Sequence, residues 1–283
     1  MTAVLQVIDP GMGCSVQDLG RTGWKRFGVP PGGTMDRHAA RWANQLVGNP
    51  EDAPVLEFLL HGADVKILSA CRVAITGANA GTDVESWHAT DLVAGDHIKW
   101  RGTRAGVWSY LAVSGGLDVP TFFGSASVDP RSSIGRAVRS DDTFSTARPA
   151  PDDAHTAGAW AWWEDRRVYD NPPPLKIWPG PQWDWFTDDA RRQLFETEWT
   201  VSSRSDRVGY RLEGATLAAP RREMTSEPVL VGSIQIPPGG QPIVTLRDGP
   251  TVGGYPKIAL VDADSLDWLT QCAPHGPSIR FTE

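Results

Sequence analysis

Short stretches of alternating apolar and polar residues constrain the fold of this chain more than any other feature. Such alternation turns one face of an extended segment toward a core and is typical of β-strands. Gly, Pro or Asp bounds each stretch, and glycine and proline make up about 18% of the 283 residues. Ten strands are predicted, at Val4–Ile8, Asp64–Leu68, Arg72–Thr76, His97–Trp100, Val107–Val113, Leu175–Trp178, Trp199–Ser203, Pro228–Ile236, Pro242–Leu246 and Ser278–Phe281.

Helical periodicity is confined to three segments. Asp36–Val47 places apolar residues near 3.6 spacing, with Asp36 as a candidate N-cap and Gly48 as a stop signal. Thr187–Phe195 and Ala263–Gln271 follow the same rules. The sequence therefore predicts a mainly β protein with a few short helices. Barrels are favoured because they remove the exposed edges that many short strands would leave.

The length and a shift in composition predict two domains. We expect an N-terminal β-barrel domain over residues 1–145, a connection over 146–174 that is rich in Ala, Pro and Asp, and a C-terminal β-barrel domain over 175–283. The connection contains A-W-A-W-W at Ala159–Trp163, which is too apolar for a free linker. We expect it to pack on one of the domains, and a binding surface is the alternative.

Composition and motif searches exclude several function classes. The net charge of −7 does not favour nucleic-acid binding. No secretory signal or membrane-spanning stretch is found, and three cysteines without a C-x-x-C pair suit a reducing compartment, so we expect a cytoplasmic protein. The six histidines are scattered and no metal site is expected. The chain has no P-loop, no G-x-G-x-x-G between strand and helix, and no G-x-S-x-G, so catalysis would need loop groups or a partner.

Three segments carry more fixed chemistry than ordinary loops need. They are Ser15–Asp36, Ser205–Gly214 and Pro237–Ala259, and they combine glycines, in the first and third as Gly-Gly pairs, with Arg, Lys, Asp or Tyr side chains. Glycines permit close backbone approach, and guanidinium, ammonium and phenol groups can bind carboxylate, phosphate or carbonyl oxygens. Each segment alone also fits an ordered loop or a turn held by a salt bridge. A tight junction between two barrels is a further alternative for the glycine clusters.

Taken together, these segments resemble one family. Arg41–Pro50, Ile75–Ala78 and Tyr110–Pro120 add to the likeness in order and spacing. The chain resembles the allophanate hydrolase subunit 2 family, also called the C-subunit family of bacterial ATP-dependent 5-oxoprolinase. That family is similar to part of the carboxyltransferase domain of biotin-dependent urea carboxylase and includes an antagonist of a sporulation kinase inhibitor. The segment after Gly124–Ser127 departs from the family pattern because its glycines are largely gone.

The resemblance implies two cyclophilin-like β-barrels and a role as one subunit of an ATP-dependent amide-opening hydrolase. It implies a partner, the kinase-inhibitor-like B subunit, together with the A subunit, a small amide substrate, and ATP that is shared or supplied through the partners. Two alternatives remain. One is a carboxyltransferase-like module that acts on a biotin carrier, and the other is a non-catalytic regulator that binds the B subunit.

The resemblance and the three segments give a set of candidate site residues. The candidate catalytic residues are Arg21, Asp36, Tyr255 and Lys257. The candidate substrate-binding residues are Gln17, Asp18, Pro31, Gly32, Asp206, Arg207, Tyr210, Gly253 and Gly254. Arg21 and Lys257 are predicted to line one groove and to face a carboxylate or phosphoryl group.

Overall fold

Strands dominate the architecture. A computed structural model describes residues 3–149 and 158–283, and within these ranges it contains eighteen β-strands and three α-helices. The predicted mainly β class is confirmed. None of the helices in these ranges is long and apolar enough to cross a membrane.

The chain forms two compact units. Unit 1 comprises residues 1–21 and 32–168, and unit 2 comprises residues 22–31 and 169–283. This division differs from the predicted one in two respects. Residues 22–31, which were predicted to belong to the N-terminal domain, belong to unit 2. The boundary at Val168 lies inside the predicted 146–174 connection. Residues 150–157 of that connection lie outside the described residues.

Unit 1 is built from two antiparallel sheets. A four-stranded sheet has the order β7-β4-β1-β9 and a five-stranded sheet the order β2-β3-β8-β5-β6. The strands are β1 Ala3–Pro10, β2 Cys14–Gln17, β3 Val55–Leu59, β4 Ala63–Ile67, β5 Cys71–Asn79, β6 His88–Leu92, β7 His97–Lys99, β8 Ala105–Val113 and β9 Thr143–Ser145. Valine, leucine and isoleucine side chains from both sheets form one core, in which Phe58 stacks on Trp100 at a centroid distance of 4.2 Å.

Helix α1, Arg37–Leu46, lies where the apolar spacing predicts it. Its N-cap Asp36 accepts a hydrogen bond from the Ala39 N–H at 2.9 Å, which satisfies one of the free donors of the first turn. Alanines bury the inner face, and the backbone turns away at Gly48 with φ of +72°. The Thr76 hydroxyl donates to the Ala39 carbonyl at 2.6 Å and ties the helix to β5.

Unit 2 contains a seven-stranded sheet of order β11-β12-β15-β14-β17-β10-β18 and a two-stranded sheet, β13-β16. The strands are β10 Leu175–Pro179, β11 Thr200–Val201, β12 Gly209–Glu213, β13 Glu227–Pro228, β14 Ser233–Gln235, β15 Ile243–Thr245, β16 Val252–Gly253, β17 Lys257–Val261 and β18 Phe281–Thr282. Helix α2 spans Asp188–Glu196 and helix α3 spans Ala263–Thr270, with N-caps Thr187 and Asp262. All three predicted helices are present.

One predicted strand was wrong, and seven observed strands were not predicted: β2, β3, β6, β9, β12, β16 and β17. The predicted single strand Pro228–Ile236 is broken into β13 and β14, because Gly232 turns the chain with φ of +90° between them. Strand β12 was missed, since its segment reads as a turn from Ser205 onward. Its alternation was nevertheless present, and Tyr210 and Leu212 are both buried.

The tryptophan-rich segment packs on unit 1 through its backbone and leaves its tryptophans outside. The Ala161 N–H donates to the Trp87 carbonyl at 3.0 Å, and Ala161 itself is buried. Trp160, Trp162 and Trp163 are 68%, 77% and 82% exposed. The predicted packing is therefore confirmed, and the segment lies beside the edge strand β6.

Candidate active site

Lys257 begins β17 and is a deeply buried cation among the predicted catalytic residues. Only 2% of the residue is exposed, although an ammonium group is costly to bury without partners. Its backbone N–H donates to Gln182 Oε1 at 3.0 Å, and Gln235 of β14 lies opposite it in the sheet register. The strand pairing thus fixes where the lysine stem enters the interior.

Glu227 of β13 supplies the counter-charge. Lys257 Nζ lies 2.7 Å from Glu227 Oε1, and Gln182 Nε2 donates to the same oxygen at 2.9 Å. The hydrogen bond from Lys257 holds the pKa of the Glu227 carboxyl below its usual range, partial burial opposes the shift, and the Gln182 hydrogen bond adds to it. One carboxylate oxygen therefore receives two donors and stays ionised.

The ammonium of Lys257 keeps unused donor capacity. An ammonium has three N–H donors, and the Glu227 contact accounts for one of them. No other acceptor in the described part of the chain is placed to receive a hydrogen bond from this buried Nζ. Unused buried donors are expensive to leave in that state and suit a ligand oxygen.

A second lysine reaches the same segment. Lys25, in the 22–31 stretch of unit 2, donates from Nζ to the Val229 carbonyl, two residues beyond Glu227. Burial lowers the pKa of Lys25. The chain has only five lysines, and two of them contact residues 227–229. Positive charge is therefore concentrated at this stretch. We call Lys25, Gln182, Glu227, Gln235 and Lys257 the Lys257 cluster.

The glycine pair before Lys257 permits close packing beside this cluster. A Cβ on Gly253 would lie 2.8 Å from Val229 Cγ2 and 2.9 Å from Gln235 Oε1, so a larger residue would displace both. A Cβ on Gly254 would lie 3.4 Å from Ser226 Oγ, a milder approach. Tyr255, between the glycines and the lysine, is 45% exposed. Predicted residues Gly253, Gly254, Tyr255 and Lys257 thus lie on one stretch of chain beside the cluster.

The predicted residues of the first segment brace unit 1. The Asp18 carboxylate accepts hydrogen bonds from the Gly20 and Ala126 N–H groups and from the Ser125 and Ser127 hydroxyls, at 2.6–2.7 Å. Arg21 is 3% exposed and donates to the Ser127 carbonyl and, at 3.4 Å, to the Phe122 carbonyl.

Two neighbours complete this arrangement. Gln17 Nε2 donates to the Val128 carbonyl at 3.0 Å. Gly32, with φ of +62°, lies against Arg21, because a Cβ there would meet Nη1 at 2.9 Å. Gln17, Asp18, Arg21 and Gly32 are thus brought together, and the side chains of Gln17, Asp18 and Arg21 hold the 122–128 segment.

Asp36 belongs to a buried acidic network at the start of α1. Its N–H donates to the Tyr110 hydroxyl at 2.7 Å, and the neighbouring Met35 N–H donates to Glu57 Oε2 at 2.7 Å. Burial raises the pKa of Tyr110 well above its usual value, and the nearby Glu57 and Asp36 charges add to the shift. Pro31, the last residue of the 22–31 stretch, is half-buried in unit 2.

The predicted residues of the second segment make structural contacts. Arg207 pairs with Asp248 through two bonds, Nε to Oδ2 at 2.7 Å and Nη2 to Oδ1 at 3.1 Å. Asp206 Oδ1 accepts from the Val208 N–H at 2.8 Å and closes a turn. The buried Tyr210 hydroxyl donates to the Thr270 carbonyl at 2.8 Å. None of these bonds connects Asp206, Arg207 or Tyr210 to a residue of the Lys257 cluster.

Sequence reasoning missed Glu227, Gln182 and Gln235 and named Lys25 only as part of a segment. The scarcity of lysine was the signal that could have selected Lys25. The predicted groove shared by Arg21 and Lys257 stays a prediction. In the described ranges, no group of three or more His, Cys, Asp or Glu side chains could hold a metal ion.

The fold is shared with two solved structures, one of which is a urea amidolyase. The Kluyveromyces lactis urea amidolyase matches with a TM-score of 0.85 at 26% identity over 99% of this chain and 18% of that one. The crystal structure called TTHA0988 matches with a TM-score of 0.89 at 35% identity over 99% of this chain and 55% of that one. This chain therefore spans about half of the TTHA0988 chain and under a fifth of the amidolyase.

Sequence comparison defines the family more closely. Residues 27–283 match the family described as carboxyltransferase domain, subdomain A and B, and the chain belongs to it. It is 34% identical to the 5-oxoprolinase C subunit of Escherichia coli, over 99% of this chain and 91% of that protein. It is 33% identical to the 5-oxoprolinase C subunit of Haemophilus influenzae, over 98% of this chain and 90% of that protein. The predicted family resemblance is confirmed.

Proposed function

We propose that this chain is one subunit of an ATP-dependent amide-opening hydrolase of the 5-oxoprolinase type, and that the Lys257 cluster binds the substrate. The observation that carries the proposal is the buried Lys257 ammonium, which has one carboxylate partner and unused donors. The two bacterial relatives named as the C subunit of 5-oxoprolinase, each matched over nine-tenths of its length, support the reaction class.

The chemistry of lactam opening suits such a cluster. A lactam carbonyl gains negative charge on oxygen as it is activated, and donors fixed in a dry site stabilise that charge. The Lys257 ammonium and the Gln182 and Gln235 amides are held by the sheet and need little reorganisation. Glu227 orients the ammonium, and the partly exposed Tyr255 side chain would cover the opposite side of a small amide.

ATP enters the proposal as a co-substrate of the assembled enzyme. The sequence has no glycine-rich phosphate loop, so ATP would be shared with or supplied through partner subunits. Lys25 and Lys257 would meet a phosphorylated intermediate as point charges, because ammonium groups bind phosphoryl oxygens without a fixed fork geometry.

Partner subunits follow from the same proposal. The relatives are named as subunits, and we propose a stable complex with a kinase-inhibitor-like B subunit, in which the A subunit completes the enzyme. Such a complex should bury more than the ~1,200 Å² lower bound of specific interfaces. Co-purified chains that separate at micromolar concentration in size-exclusion chromatography would contradict it.

Carboxyl transfer is the second candidate function. The family description and the urea amidolyase of Lachancea kluyveri, 29% identical over 98% of this chain and 17% of that enzyme, favour it. The biotin carrier would then be another protein, since this chain has no biotin-acceptor M-K-M pattern. A urea-like substrate would use the same donors for its carbonyl oxygen.

Reconstitution separates these functions. The chain is co-expressed with the A and B subunits, and phosphate release from ATP is measured with and without 5-oxoproline. Release that depends on 5-oxoproline and on this chain supports the hydrolase. Carboxyl transfer from carboxybiotin to urea without a need for the A subunit supports the second function. A complex that forms but shows neither activity indicates a regulator and contradicts both.

A further inference from the structure

Unit 1 contains an apolar cavity that the proposed reaction does not use. Its volume is about 220 Å³. Apolar side chains from the 16, 119–128 and 138–144 regions line most of it, among them Val16, Val119, Phe122, Ala126, Val128 and Val138. Val16, Ala126, Val128 and Val138 also belong to the core of unit 1, so the cavity lies at the end of that core.

The wall of this cavity is fixed by polar bonds. The four donors on the Asp18 carboxylate and the Arg21 bonds to the Phe122 and Ser127 carbonyls hold residues 122–127 in place. The Val128 N–H donates to the Val16 carbonyl at 3.1 Å and continues the brace. Most apolar voids in cores are reduced when the surrounding side chains relax inward. A wall held by these polar bonds does not relax in this way. The cavity is therefore preformed.

The turn that follows the wall is unusually compact. Asp129 caps a short 3-10 turn, Pro130–Ser132, and Gly135 then lies under Phe122. A Cβ on Gly135 would meet Val128 Cγ1 at 2.7 Å and Phe122 Cε2 at 3.2 Å. Gly135 thus lets the turn pack directly against the wall residues Phe122 and Val128.

The rim carries no net charge. Arg136 and Asp142 form a two-bonded ion pair, with Nη1 to Oδ2 at 2.6 Å and Nη2 to Oδ1 at 2.7 Å. Because the carboxylate neutralises the guanidinium, an anionic ligand would have to displace it, and a cationic ligand would meet Arg136. The lining and the rim both select a neutral ligand.

We propose that this cavity is a binding site for a small neutral aromatic molecule. An engineered apolar cavity of about 150 Å³ binds benzene, so 220 Å³ accommodates one ring or a fused pair with little else. Binding would remove the ring from water and fill space that the braced wall keeps open. The site lies wholly in unit 1 and is independent of the Lys257 cluster.

Indole is the probe that tests this site. Full-length protein carrying ¹³C-labelled valine methyl groups is titrated with indole, and methyl shifts are followed by NMR. We expect saturable shifts of the Val16, Val128 and Val138 methyls and none at Val244 or Val261 of unit 2. Indole-3-carboxylate, with its negative charge, should bind at least tenfold more weakly.

Two variants fill the cavity from different sides. Ala126→Leu fills it from the base and Val119→Phe from the rim, and each should weaken indole binding at least tenfold. Ala218→Leu, on an exposed alanine of unit 2, is the matched control and should change it less than twofold. The ligand-free methyl spectrum reports whether each variant is folded, and Val119→Phe decides the result if Ala126→Leu is not. Indole that gives no saturable shift in the wild type, or that binds a folded Val119→Phe variant unchanged, would overturn the proposal.

Discussion

Lys257 Nζ and Glu227 Oε1 lie 2.7 Å apart, and the two side chains differ sharply in exposure, at 3% for the lysine and 37% for the glutamate. The pair connects β17 of the seven-stranded sheet with β13 of the two-stranded sheet. The carboxylate thus faces solvent on one side while the ammonium lies behind it. A small ligand that entered past Glu227 would meet a charged donor already in position.

The Glu227 pKa predicts how stability depends on pH. Because the Lys257 hydrogen bond lowers the folded-state pKa of Glu227, its contribution to the free energy of unfolding is complete above the ordinary Glu pKa of about 4.3. It disappears as the pH falls through the lower folded-state value. Urea unfolding at pH 7 and pH 3 should therefore show a smaller loss of stability on acidification in Glu227→Gln than in the wild type. Equal losses would contradict the prediction.

The brace formed by Asp18 predicts a stability effect in unit 1. Asp18→Asn replaces a charged acceptor of four hydrogen bonds with an amide that brings its own donors toward them. We expect a loss of about 2–4 kcal/mol in the free energy of unfolding, on the scale of several charge-assisted bonds. Asp52→Asn, at an exposed position, is the control and should change it by less than about 0.5 kcal/mol. A small effect of Asp18→Asn with lost turnover would instead support a substrate-binding role.

The paired geometry of Arg207 predicts a structural role as well. Asp248 is 6% exposed, so Arg207→Ala would leave a buried carboxylate without its partner. We expect a loss of about 2–4 kcal/mol in the free energy of unfolding, with turnover of the folded fraction close to that of the wild type. Turnover abolished at an unchanged melting temperature would show that Arg207 binds substrate.

The cysteines are predicted to be unreactive in the folded protein. Burial raises the pKa of Cys71 to about 11 and that of Cys272 to about 12, and it holds the pKa of Cys14 well above its usual range. Only about one Cys71 in a thousand would be a thiolate at pH 8, and the thiolate is the reactive form. A disulfide reagent should label all three in urea and none within minutes in buffer. Fast labelling of one thiol in buffer would contradict this.

Local rules predicted the helices better than the site. Asp36, Thr187 and Asp262 act as caps through bonds within three residues, so their signal is complete in the sequence. The Lys257 cluster depends instead on side-chain contacts among residues 182, 227 and 257, which are far apart in the sequence and which no local pattern records. The neighbouring glycine pair and the scarcity of lysine did identify Lys257 itself as a candidate in the sequence.

The type of a side chain also could not show whether it holds the protein's own backbone or binds a ligand. Asp18 and Arg21 have the chemistry of a ligand site, and the same donors and acceptors bind backbone groups of residues 122–127 equally well. Only the fold brings that segment beside them. Likewise, Arg207 is a plausible anion donor by sequence, and Asp248, 41 positions away, is the acceptor it meets.

The most direct test of the central claim is turnover of the reconstituted complex with Lys257→Met. Methionine keeps the length of the lysine stem and removes the charged donor, and Lys176→Met, on an exposed lysine of unit 2, is the matched control. With the A and B subunits present, 5-oxoproline-dependent phosphate release should fall at least a hundredfold in Lys257→Met, on the scale of about 2.7–4 kcal/mol for one lost donor. It should be unchanged in Lys176→Met, and both variants should still co-purify with the partners. A Lys257→Met complex that assembles and retains full activity would contradict the account.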